Sequence, residues 1–116
     1  LFEMATGEYL FNPKSSKTQE LTDLNHLHAI FKVMDEFPKT FLSKCSRTKP
    51  FFNKNMQLKK KDKVFRESLE GRLSETSNSK DEISKFADFL IPILSIDPNK
   101  RLSSVEALEL SWLKEN

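Results

Sequence analysis

Apolar residues recur at three- and four-residue steps near the end of the chain, which predicts an amphipathic helix beginning near residue 81. Ser79 and Glu82 match a capping box, in which each side chain satisfies a free backbone N–H at the helix start. Pro92 removes one helix hydrogen bond, so a kink is expected there. Pro98 is expected to end the element. The inner stripe comprises Ile83, Phe86, Ala87, Leu90, Ile93 and Leu94.

A second capping box, Ser103 with Glu106, predicts another helix directly after this turn. Its inner stripe is expected to contain Val105, Leu108 and Leu113, with Ala107 and Trp112 on the flanks.

The first third of the chain predicts two helices separated by a polar loop over residues 12–22. Gly7 is expected to stop the first helix in the left-handed conformation. The second is expected over residues 23–36, capped by Thr22 or Asp23 and closed by Pro38. Tyr9, Leu10 and Phe11 are expected in the core, together with a stripe formed by Leu24, Leu27, Ile30, Phe31 and Met34.

Residues 39–66 are strongly basic and contain Phe51 and Phe52. A basic run with aromatic rings can bind a nucleic-acid backbone and stack bases. The competing interpretation, which we favour, is an exposed loop with both rings tucked beneath it, because charge runs are usually solvated. A further helix is predicted over residues 64–73, in which Phe65, Leu69 and Leu73 are the apolar positions. The fold class is therefore all-α, with one long basic connection.

Composition narrows the possible functions. The 116 residues suffice for one modest domain, and the net charge of +2 is too small to indicate a nucleic-acid or membrane partner. Cys45 is the single cysteine, which excludes an intrachain disulfide and fits a reducing compartment. His26 and His28 point to different helix faces, so no metal site is expected.

The turn DPNKR followed by a short helix ending in SWL resembles the end of a eukaryotic protein kinase catalytic domain. FEMATGEYLFNP is similar to the matching stretch of SR-protein kinases, and NHLHAIFKVMDEFP, PFFNKNMQLK and KFADFLIPIL continue the similarity. The resemblance implies that residues 1–116 form the C-terminal portion of the large lobe, with residues 39–80 as a family-type insert. It also implies a structural role for Arg101, paired with a glutamate upstream of Leu1.

The same resemblance implies a parent enzyme that transfers the γ-phosphate of ATP, with Mg²⁺, to serine in Arg/Ser-rich proteins. It further implies a role in regulating mRNA splicing and a parent protein located in the cytoplasm, the nucleus or both. Phosphoryl transfer needs a glycine-rich loop, a strand lysine, a catalytic-loop aspartate and a metal-binding aspartate. None of these motifs occurs here, and Gly7 and Gly71 are the only glycines. We therefore expect no catalytic, ATP-binding or metal-binding residue within the 116 positions, and the N-lobe and catalytic loop would lie upstream.

In SR-protein kinases an acidic groove of this lobe binds arginine-rich segments. By position, Glu8 keeps one groove acid, Asn25 and Lys32 replace two others, and Arg72 falls near a family lysine. A lysine repels an arginine-rich peptide, so docking is expected to be weak. Compensation would have to come from Asp23, Asp35 and Glu36, but acids of this kind are more often ordinary solvated charges on a helix face.

Two other readings stay open at this point. One is a stand-alone helical module that binds an acidic partner through the segment Lys59 to Arg66. The other is a degenerate kinase relative that docks substrates without catalysis.

Overall fold

The computed structural model describes residues 1–76 and 78–115, in which the regular elements are helices joined by turns and irregular connections. The part described contains no strand beyond one isolated bridge, as the all-α prediction requires. The chain divides into two compact units, unit 1 (Leu1–Ser68) and unit 2 (Leu69 onward). The helices are α1 Phe2–Thr6, α2 Gln19–Met34, α3 Lys39–Leu42, α4 Leu69–Leu73, α5 Lys80–Ile93, α6 Ser104–Leu108 and α7 Ser111–Glu115.

Helix α1 ends where the sequence predicts. Gly7 has φ 79°, and its N–H donates to the carbonyl of Glu3 at 2.7 Å. Glycine suits this left-handed cap because the backbone of a residue with a side chain is strained at positive φ. The core prediction for the following residues is wrong for Tyr9, which is 60% exposed, while Leu10 and Phe11 are half-buried.

Helix α2 starts four residues before the predicted position. Thr18 is its N-cap and accepts a hydrogen bond from the N–H of Leu21 at 3.1 Å. The hydroxyl of Thr22 instead accepts from the N–H of Ser16, so neither Thr22 nor Asp23 caps the helix. The predicted loop over residues 12–22 is correspondingly shorter.

The end of α2 also differs from the prediction. The helix stops at Met34, and Asp35 follows with φ 101°, a conformation that is strained for a residue with a side chain. Pro38 does not close α2; it is the N-cap of α3. Leu24 and Phe31 are buried as predicted, Leu27, Ile30 and Met34 are half-buried, and Val33 is an additional buried residue.

The basic stretch folds over a small aromatic core. Phe51 and Phe52 are buried, and Phe52 meets Phe37 edge-on with ring centroids 5.4 Å apart. An antiparallel bridge joins Phe52 to Leu58, and a 3₁₀ turn follows at Lys61–Lys63. The favoured interpretation, charged residues outside and phenylalanines inside, is confirmed.

The helix predicted over residues 64–73 forms only at its end, as α4. Leu69 and Leu73 are buried, but Phe65 lies outside the helix and is 90% exposed. The apolar spacing was therefore misleading at Phe65, because residues 64–68 are not helical.

In unit 2 both capping boxes form as predicted. Ser79 and Glu82 exchange side chain-to-backbone hydrogen bonds at the start of α5, and Ser103 and Glu106 do so at the start of α6. Helix α5 contains Pro92 and ends at Ile93, before Pro98 is reached.

The predicted inner stripe after the second capping box is wrong. Val105 and Leu108 are 72% and 63% exposed, and a break after α6 separates them from Leu113. Trp112, assigned to the flank, instead stacks on Phe89 with centroids 4.7 Å apart and lies 5.2 Å from the ring of Phe86. The break at residues 109–110 rotates α7, so one helical stripe cannot run through both helices.

We expect Trp112→Ala to lower the free energy of unfolding by about 2–3 kcal/mol, because it removes an aromatic stack on α5. Urea denaturation followed by far-ultraviolet circular dichroism measures this loss. Val105→Ala is the matched control and should change stability by less than about 0.5 kcal/mol, since its side chain is exposed. A larger loss for Val105→Ala than for Trp112→Ala would restore the stripe predicted from the sequence.

Candidate docking cleft

Unit 1 carries a cleft of about 360 Å³ along one side of α2. Asn25, His28 and Lys32 line it from successive turns of the helix. The loop before α2 contributes Lys14, and the extended segment after the 3₁₀ turn contributes Phe65. Asn25 and Lys32, two of the four docking positions identified from the sequence, thus lie in one cleft.

Three hydrogen bonds fasten the walls of this cleft to α2. The amide of Asn25 donates to the carbonyl of Lys14 at 2.8 Å. The Nε2 of His28 lies 2.8 Å from the carbonyl oxygen of Lys59, and the N–H of Glu67 donates to the carbonyl of Lys32 at 2.9 Å. Asn25 is therefore occupied in holding the preceding loop, which is a structural task for a position first identified as a groove residue.

The cleft is positively charged. Lys14, Lys32 and Lys63 line it, and its described lining includes no carboxylate. Lys32 has a loose ion pair with Glu67, with Nζ and Oε2 3.8 Å apart and both side chains about two-fifths exposed. Pairs of this kind contribute at most about 1 kcal/mol, so Lys32 can leave Glu67 and pair with an anionic ligand at little cost in free energy.

The acids considered as replacements in the docking groove pair with the chain's own cations. Asp35 accepts from Arg66 at 2.8 Å, and Glu36 pairs with Lys61 at 2.7 Å. Asp23 lies 3.9 Å from Arg47 in a looser pair. An incoming arginine would have to displace the close internal partners of Asp35 and Glu36, so these two acids are poor substitutes for an open acidic groove, whereas the loose pair of Asp23 leaves its carboxylate accessible.

Asp35 combines a strained backbone with a carboxylate oxygen that accepts two hydrogen bonds. Its Oδ1 accepts from the N–H of Glu36 at 2.7 Å as well as from Arg66. The backbone N–H of Glu36 and the guanidinium of Arg66 together lower the pKa of Asp35 below its ordinary value. Arg66 also lies 5.1 Å from the centroid of the Phe31 ring, which orients the guanidinium at the end of α2.

The two remaining docking positions do not line this cleft. Glu8 is exposed in the turn after α1, where its backbone bonds to Thr6. Arg72 lies on α4 in unit 2. The geometry therefore groups Asn25 with Lys32 and leaves the docking role of Glu8 and Arg72 as a prediction.

Arg101 closes the turn after α5 in unit 2. Its Nε donates to the carbonyl of Ser95 at 2.8 Å and its Nη2 to that of Ile96 at 3.2 Å. These bonds give the cation backbone acceptors within its own turn. The pairing with an upstream glutamate stays a prediction.

The sequence reasoning missed Lys14 and His28 as cleft residues, and it named Lys63 only as part of the segment Lys59 to Arg66 that one alternative reading assigned to an acidic partner. The basic run that contains Lys63 was visible, but only its fold back onto α2 brings it beside Lys32. His28 was considered solely as a metal ligand. Across residues 1–76 and 78–115, no group of three potential ligands is arranged to hold a metal ion.

A second, more apolar cleft of about 390 Å³ lies elsewhere in unit 1. Phe37, Phe41 and Phe51 line it, together with Cys45. The thiol of Cys45 donates to the carbonyl of Phe41 at 3.5 Å. Among the described helices, none is long and apolar enough to cross a membrane.

Comparison with known proteins identifies relatives along nearly the whole chain, although no protein-family model matches it. Serine/threonine-protein kinase SKY1 of Saccharomyces cerevisiae is 34% identical over 116 residues, covering 99% of this chain and 16% of that kinase. Serine/threonine-protein kinase SRPK of Physarum polycephalum is 31% identical, covering 99% of this chain and 27% of that kinase. SRSF protein kinase 3 of Homo sapiens is 29% identical, with coverages of 97% and 20%.

These relatives and the helical fold define a class: the chain is homologous to part of the large lobe of serine/threonine protein kinases. Within that class its relatives are SR-protein kinases, as the sequence resemblance predicts. The chain spans roughly a sixth to a quarter of the length of these relatives.

We expect Asp35→Asn to destabilise unit 1 by a few tenths to about 1 kcal/mol at pH 7, because Arg66 and the N–H of Glu36 lose a charged acceptor. Asparagine tolerates positive φ at least as well as aspartate, so backbone strain is little changed. Urea midpoints from pH 7 to acid pH measure the effect.

The sign of the pH dependence follows from the lowered pKa. The carboxylate stabilises the folded state above the unfolded-state pKa, and this contribution disappears as pH falls through the folded-state pKa of Asp35. The gap between wild type and Asp35→Asn should therefore close in acid. Asp62→Asn, at an exposed position in the 3₁₀ turn, is the control. A gap that persists below that pKa would contradict the assigned ionic contribution.

Proposed function

We propose that the chain is part of an active serine/threonine kinase of the SR-protein kinase type. The parent protein would transfer the γ-phosphoryl group of ATP, with Mg²⁺, to serine in Arg/Ser-rich proteins. The chemistry would be carried by residues outside the 116 positions, since the motifs that hold nucleotide and metal do not occur among them. Residues 39–80 would be the family-type insert, and the parent would act in the cytoplasm, the nucleus or both.

The observation that carries this proposal is similarity over 97–99% of the chain to proteins named as kinases. The match extends across both units and is not confined to one motif. The formation of both capping boxes and the DPNKR turn within a helical fold gives independent physical support.

The proposed contribution of this portion is a helical scaffold with a docking surface altered for arginine-rich peptides. Arginine-rich segments bind where carboxylates can accept bidentate hydrogen bonds. Here Lys32 presents a cation at a position that would need an acid, and Asp35 and Glu36 are paired internally. Docking of an arginine-rich segment would therefore be weak even if phosphoryl transfer is efficient.

Full-length protein is expected to transfer phosphate from radiolabelled ATP to an Arg-Ser repeat peptide in the presence of Mg²⁺. Chelation of Mg²⁺ with EDTA is the control and should abolish transfer, because the metal neutralises the phosphate charge. Absence of transfer to Arg-Ser peptides and to general serine substrates alike would contradict the proposed kinase activity and favour a non-catalytic docking relative.

Lys32→Glu is expected to tighten the binding of an unphosphorylated Arg-Ser peptide several-fold, because it replaces repulsion by attraction. Fluorescence anisotropy of a labelled peptide measures the dissociation constant. Lys39→Glu, an equal charge change at an exposed position on α3, is the matched control. An unchanged or weaker affinity for Lys32→Glu would mean that this cleft does not contact arginine-rich peptides.

A further inference from the structure

The cleft beside α2 is lined by three lysines, and its described lining includes no carboxylate. We propose that it binds a short acidic peptide segment, whose carboxylates pair with Lys14, Lys32 and Lys63. This inference rests on the proposed function for its role as a partner- or substrate-docking site. The negative charge expected of the ligand follows from the three lysines of the cleft, independently of that role.

The lysines of the cleft are available to a ligand. Among the described residues, neither Lys14 nor Lys63 lies within 4.0 Å of a carboxylate, and both are exposed. This sets them apart from Lys61 and Arg66, which the end of α2 already neutralises. Three cations with one loose internal acid, Glu67, leave a local excess of positive charge that attracts anions.

The cations are held on a fixed frame. The bond from Asn25 to the carbonyl of Lys14 fixes the backbone that bears one lysine. The contact of His28 with the Lys59 carbonyl and the bond from Glu67 to the Lys32 carbonyl hold the opposite segment against α2. A ligand therefore meets backbone positions set in advance and must order only the lysine side chains, which reduces the entropy lost on binding.

The chemistry of the cleft favours a peptide over a nucleic acid. Phe65 is the single phenylalanine, tyrosine or tryptophan of its described lining, whereas single-stranded nucleic acids bind tracks of successive aromatic side chains. Pro13, Ala29 and Val64 supply apolar surface, and Phe65, 90% exposed, offers a contact for one apolar side chain of the peptide.

The test uses full-length protein and a fluorescein-labelled peptide of aspartate and glutamate around one leucine, without ATP. The matched peptide has asparagine and glutamine at every acidic position. Anisotropy should show saturable binding of the acidic peptide alone, weakening with added salt because the charges are exposed. Lys14→Glu and Lys63→Glu should each weaken it by about fivefold or more, since each exchanges an attraction for a repulsion.

Lys54→Glu is the matched control, because Lys54 is an exposed lysine of the same basic stretch that does not line the cleft. It should change affinity by less than twofold, and circular dichroism should show all three variants folded alike. An equal loss for Lys54→Glu would reduce the effect to net charge and overturn the proposal. So would tighter binding of an Arg-Ser peptide or of oligouridine than of the acidic peptide.

The experiment separates this inference from the kinase proposal. Phosphoryl transfer without acidic-peptide binding would refute only the docking inference. Binding that is sensitive to Lys14 and Lys63, in a protein without transfer activity, would refute only the kinase proposal and leave the cleft as a recognition site.

Discussion

The arrangement of unit 1 depends on charge pairing between the end of α2 and the basic segment of residues 59–67. Arg66 pairs with Asp35, and Lys61 pairs with Glu36, across about 25–31 positions of sequence. Each exposed pair contributes only about 0.2–1 kcal/mol. Their effect is positional, because they act together with two contacts to backbone carbonyls, at Lys59 and Lys32, and fix a long connection against one helix.

This pairing divides the basic residues into two groups with different roles. The first group, Lys61 and Arg66, pairs with the acidic end of α2 and stabilises the folded chain. The second, Lys14 and Lys63 with the loosely paired Lys32, faces the cleft. A count of charges along residues 39–66 cannot separate the groups, because their roles are set by the direction in which the segment folds back. The net charge of +2 likewise conceals a local concentration of cations.

Local signals in the sequence predicted local structure well. Gly7, Ser79 with Glu82, and Ser103 with Glu106 all act as predicted, because a cap needs only residues within one helical turn. Phe65 and Leu108 were placed wrongly, because their burial depends on where a helix begins or breaks. Thr18 caps α2 in place of the predicted Thr22, whose hydroxyl accepts from the N–H of Ser16 instead.

The candidate site shows the same division between local and distant information. Asn25 and Lys32 share a helix face at a spacing of seven residues, so the sequence could place them together. Lys63 reaches that face only through contacts spanning about thirty residues, for which one sequence contains no signal. The resemblance to SR-protein kinases predicts a groove beside this helix, and a few side chains set the sign of its charge.

An identity of about 30% is enough to preserve a helical lobe, because its core tolerates exchange among apolar residues of similar volume. The charge of a binding surface is far less tolerant of substitution, since replacing one acid by lysine changes the local charge by two. In this chain Lys32 lies in a cleft with two further lysines, and Asp35 and Glu36 are paired internally. Separate features thus shift the surface in the same direction, which argues for a changed ligand more strongly than for a weakened version of the family's groove.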